Sequence, residues 1–112
     1  MTRYFCIAIT CLLWCATAVA QNGADIFNSN CAACHGRDAS SRTAAAQKLG
    51  KLPDLRSKRV QAKTDDELLE SIGQGKDHVL YPHIFYAKGL TAADIKAVIK
   101  HLRTLAVEQR KQ

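Results

Sequence analysis

At 112 residues, of which 47% are hydrophobic and 23% charged, the chain has the length of a single small domain. Its 16 basic against 10 acidic residues leave a formal charge of +6, enough to steer it toward an acidic partner or an anionic surface. No nucleic-acid recognition motif accompanies that charge, so it does not indicate nucleic-acid binding. The first element is an export signal. Arg3 is the single early charge, an apolar run extends from Tyr4 to Cys15, and Ala18-Val19-Ala20 supplies small residues ahead of Gln21. The run is shorter than the roughly 20 residues that span a bilayer comfortably, which disfavours a retained anchor. Bulky Trp14 ahead of Cys15 disfavours lipoprotein processing. Residues 1–20 are therefore expected to be a signal peptide and residues 21–112 one domain in the periplasm. Cleavage removes Cys6, Cys11 and Cys15 and lowers the charge by one. No disulfide framework survives it.

The first predicted helix runs through Asp25, Ile26 and Phe27, with Asp25 suited to an N-terminal turn. It leads into Cys31-Ala32-Ala33-Cys34-His35-Gly36, the attachment signature of a c-type haem. On a helical turn Cys31 and Cys34 share one face. Each thiol can then add to one vinyl group of the same porphyrin, and His35 follows where its imidazole can bind the iron. A thioredoxin-like thiol pair would require a βαβ pattern, which is missing. A closed zinc site needs four protein ligands, and no further cysteine remains after export.

From Gly36 to Gly50 the chain is polar and small, a loop with room for a short helical turn. Pro53 in Leu52-Pro53-Asp54-Leu55 marks a turn. It is either an ordinary loop proline or the carbonyl that accepts the Nδ1 proton of His35. Arg56-Ser57-Lys58-Arg59 with Lys63 reads as a solvated basic face. Thr64-Asp65-Asp66-Glu67 is a capping box opening a helix that carries Leu68, Leu69 and Ile72 and ends at Gly73 or Gly75. Thr91-Ala92-Ala93-Asp94 repeats the start signal. Ile95, Val98, Ile99, Leu102 and Leu105 then recur at steps of three and four, an amphipathic helix. There is no alternating strand pattern, so the fold is predicted to be all-α.

Taken together, the Phe27 helix, the Cys31–Gly36 motif, the Pro53-x-Leu55 loop, the capped helix and the final amphipathic helix resemble a small monohaem class I c-type cytochrome. The resemblance covers nearly all of residues 21–112. It implies three or four helices wrapped around one covalently attached haem c, with the first and last crossing. Gly23 and Phe27 would then meet the last helix near His101, which becomes a packing or surface residue. It also favours the Pro53 carbonyl as partner of His35, and it implies transfer of single electrons between redox partners, by a monomer or a subunit of a redox complex.

The chain departs from the family at the sixth iron position, usually a methionine followed by proline. Here the only methionine is Met1. In the corresponding loop, Asp77 to Tyr86, Tyr81-Pro82 takes that place if proline sets the register. If distance to Leu90 sets it, His83 does. His83 is the favoured distal ligand and His78 the second imidazole in reach. An open or weakly held sixth site, with Tyr81 or a histidine nearby as a hydrogen-bond donor, is the alternative, and would suit a sensor, a ligand-binding protein or a peroxidase-like activity.

Overall fold

Five of the six helices among the described residues begin at a side chain whose oxygen accepts a hydrogen bond from the first turn: Asn22, Thr43, Ser57, Thr64 and Thr91. The computed structural model describes residues 22–78 and 83–112, so the expected signal segment, Tyr81 and Pro82 lie outside the described residues. The helices are α1 (Gly23–Asn30), α2 (Ala32–His35), α3 (Ala44–Leu49), α4 (Lys58–Gln61), α5 (Asp65–Gln74) and α6 (Ala92–Arg110). The described residues contain no strand, and the all-α expectation stands. α2 and α4 are single turns of four residues, which leaves α1, α3, α5 and α6 as the frame.

Both predicted capping boxes are present. In each, the threonine side chain accepts from the backbone three residues on, and that residue's carboxylate returns to the threonine amide. α5 closes at Gly75, whose left-handed backbone (φ 74°, ψ 20°) suits glycine. Helix α6 buries Ile95, Val98, Ile99, Leu102 and Ala106, and it serves two apolar clusters. Against α1 it meets Ile26, Phe27 and Ala39. Against α5 and the loop after it, the helix meets Leu68, Val60 and Phe85. Leu90 packs on both clusters.

The predicted crossing of first and last helices is present. At Gly23 a Cβ would collide with the Ala97 carbonyl, so glycine is what lets the two backbones touch. One turn further along, the Phe27 and His101 rings pack at 5.5 Å between centroids, tilted by 56°.

The basic stretch is not wholly a solvated face. Arg56 turns onto Asp54 in a two-pronged contact (Nε to Oδ1 3.0 Å, Nη2 to Oδ2 2.9 Å), leaving its side chain only 13% exposed. A planar guanidinium matches a carboxylate in this way. Val60 within the same stretch is buried.

Candidate functional site

α1 stops at Cys31, whose amide still donates to the Phe27 carbonyl at 2.8 Å while its own backbone leaves the helical region (φ −122°, ψ −34°). The break turns the chain into the short α2. The amides of Cys34 and His35 then bond back to the Cys31 carbonyl at 3.2 and 2.9 Å. Both cysteines are half-buried. Burial pushes the Cys31 thiol up to about 11; the Lys88 ammonium opposes the shift and Cys34 adds to it. Thr43 fastens this turn to α3, its hydroxyl donating to the Cys34 carbonyl at 2.6 Å while accepting from the Ala46 amide at 3.0 Å.

His35 closes α2, and burial followed by the charge of His78 lowers its pKa, so the ring is neutral at pH 7. Its Nδ1 lies 3.0 Å from the Ser41 hydroxyl, which lies 2.6 Å from the Pro53 carbonyl oxygen. A carbonyl oxygen only accepts, so the one Ser41 hydroxyl proton points at Pro53. The hydroxyl oxygen must then accept from His35. Nδ1 therefore carries the ring proton, and Nε2 presents a free lone pair. The expectation that Pro53 receives the His35 proton directly is corrected: Ser41 stands between them. The loop from Gly36 to Thr43 curls beneath the ring and brings a serine there first.

The opposite wall comes from α5 and the loop behind it. The amides of Phe85 and Tyr86 donate to the Ile72 and Gly73 carbonyls, both at 3.2 Å, which satisfies two carbonyls at the end of α5. A Cβ at Gly75 would lie 3.2 Å from the His83 carbonyl oxygen, so the glycine also admits the His83 backbone. The His83 ring lies 3.4 Å from that of His78 and 5.0 Å from that of Phe85, centroid to centroid. Its Nδ1 is buried and has no hydrogen-bond partner among the described residues. Burial pushes His83 down to about 4, with the nearby His78 acting in the same direction. His78 is only partly buried, and its Nδ1 lies 3.1 Å from the Lys76 carbonyl.

The described residues thus supply two cysteines on one helical turn, an imidazole with a free Nε2, and a second neutral imidazole whose buried Nδ1 has no partner among them. That set suits a haem held by two thioether bonds and ligated from the protein. A model of the cytochrome c family matches residues 20–106. The chain belongs to that family. Among curated proteins none matches it. As a cytochrome c it binds haem c, covalently attached and with iron at its centre, and it is an electron-transfer protein. The bound haem supplies an iron that takes up and releases one electron at a time.

Ser41, Phe85 and Lys88 complete the surroundings of this site, and motif reasoning did not single them out. Lys88 Nζ sits 4.7 Å from the Phe85 ring centre, a cation over an aromatic face. Phe85 is 6% exposed, and its only sequence signal is an aromatic beside His83. A groove of about 730 Å³ runs over Ser41, Arg42, Gln47, Lys51 and Leu52, and neither cysteine lines it. Tyr81, expected near the haem, lies outside the described residues. No helix among them is long and apolar enough to cross a membrane.

Proposed function

We propose that this cytochrome carries single electrons in the periplasm with His35 and His83 as its two axial ligands and Cys31 and Cys34 as the thioether anchors. The observation that carries the reading is the half-buried His83 ring, neutral at pH 7, whose Nδ1 atom is itself buried and has no hydrogen-bond partner among the described residues. An unpaired buried nitrogen is costly, and ligation by iron would give the ring a role that justifies its burial. Imidazole in place of methionine lowers the potential relative to methionine-ligated relatives. Two fixed imidazoles also leave the iron's surroundings little changed when an electron arrives.

His78 supports a second reading. An Nδ1 proton donated to the Lys76 carbonyl at 3.1 Å would orient its ring as metal-bound histidines are commonly oriented. The ferric protein is expected to show a low-spin, bis-imidazole electron paramagnetic resonance signal, and the reduced spectrum should ignore carbon monoxide. His83→Ala should turn the haem high-spin while His78→Ala leaves it low-spin. The reverse pattern transfers the assignment to His78. Carbonyl formation by the unaltered protein would instead support an open sixth site and a sensing, ligand-binding or peroxidase-like role.

Export rests on the charge, apolar run and small residues of positions 1–20, together with a family match that begins at residue 20. The basic balance favours an acidic redox partner, and docking to it should slow as ionic strength rises.

A further inference from the structure

We infer that Ser41 is a positioning residue for the proximal imidazole, passing the pull of the Pro53 carbonyl to His35 and thereby favouring the ferric state. The inference rests on His35 being the proximal iron ligand. Its basis is the two-bond chain from His35 Nδ1 to Ser41 Oγ at 3.0 Å and from Ser41 Oγ to the Pro53 carbonyl at 2.6 Å. A hydroxyl that donates one strong hydrogen bond becomes a better acceptor of another. The imidazole therefore gains electron density and gives more of it to an iron at Nε2.

The backbone indicates that this position is held on purpose. Ser41 and Ala39 both have φ of +60°, a left-handed conformation that non-glycine residues rarely adopt. Such strain persists only where the surroundings enforce it, and here they do. The Ser41 amide donates to the His35 carbonyl at 2.8 Å, and the Leu55 amide donates to the Ala39 carbonyl at 2.9 Å. The Asp38 carboxylate accepts from the Ser40 amide at 3.0 Å, and Ala39 is fully buried. The same few residues thus tie the serine to the histidine on one side and to the proline loop on the other.

The test is the midpoint potential of the mature haem protein, measured by spectroelectrochemistry. Ser41→Gly removes the hydroxyl while glycine tolerates the positive φ, so the loop keeps its shape. At fixed ambient potential its ferrous-to-ferric ratio should rise about tenfold, the low end of what such outer partners are worth, or about 59 mV for one electron. Ser41→Ala should move the potential in the same direction, and Ser41→Thr, which restores a hydroxyl, should return it toward the original value. If Ser41→Gly and Ser41→Ala both keep the original potential, the inference is overturned. His35→Ala separates this from failure of the ligand assignment: a low-spin haem surviving that change would remove His35 itself, whatever Ser41 does.

Discussion

The two walls of the candidate site are built by different means. The wall carrying Cys31, Cys34 and His35 is tied down at short intervals. Thr43 grips the Cys34 carbonyl, Ser41 grips both His35 and Pro53, and the Leu55 amide grips Ala39. Among the described residues, the wall carrying His78 and His83 is tied to α5 and its cap by the amides of His78, Phe85 and Tyr86, each at 3.2 Å, with Ile84 and Tyr86 exposed beside it. On the first wall each of these ties is made between described residues. On the other, a buried imidazole nitrogen has no partner among the described residues.

Two glycines provide the most direct way to break this comparison. Gly23→Ala drives a methyl group into the Ala97 carbonyl, where neither helix backbone can yield. It should cost about 1–3 kcal/mol, the range for overpacking, and lower the melting temperature by roughly 4–8 °C per kcal/mol for a domain of this size. Gly73→Ala meets the Tyr86 ring, which is 37% exposed and can swing aside, so its loss should stay below about 1 kcal/mol. Equal losses measured by thermal unfolding would show that the distal wall is as rigid as the helix crossing.

Thr43→Val comes next. It removes the N-cap of α3 and the tie to Cys34 at nearly constant volume, and should cost about 1–2 kcal/mol. The absorption spectrum should keep its axial signature, because His35 retains its own hydrogen bond.

The smallest expected effect sharpens the electrostatic side. Hydrogen bonds from Arg56 hold the Asp54 carboxyl below the ordinary aspartate range, with partial burial opposing. The sign follows from linkage. The folded state prefers the charged carboxylate, so the pair's stabilisation is complete above the ordinary value near 4 and is lost as pH falls through the lower folded value. For a pair this close to solvent the contribution is about 0.5–1 kcal/mol. Asp54→Asn should therefore narrow the stability gap between pH 7 and the acid limb by that amount. An unchanged acid limb would show that Asp54 contributes nothing to the proximal wall.

Local chemistry is what made much of the fold legible in the sequence. The capping boxes at Thr64 and Thr91, the steps of three and four from Ile95 to Leu102, and the Cys31–His35 spacing all act within a few residues, and each is present as expected. Arg56, expected to face solvent as part of a charge run, instead folds back on Asp54 two residues earlier, a pairing that the run of like charges obscures. Pro53 was recognised as a partner of His35 but placed one step too close. The intervening Ser41 depends on positive φ angles at Ala39 and Ser41, a conformation those residue types do not favour by themselves.

What the sequence by itself determined is the chemistry on offer: two thiols and an imidazole in a register suited to haem, no methionine beyond Met1, and helices whose ends carry their own caps. The tertiary structure decided which of these groups meet. It brought Ser41 between His35 and Pro53, packed Phe85 with Val60 and Leu68, and let α1 touch α6 at Gly23. The physical reason is range. Caps and periodicity draw on neighbours within one or two turns, whereas these contacts join residues twelve or more apart in the chain or require strained backbone, and only the packed whole can hold such arrangements in place.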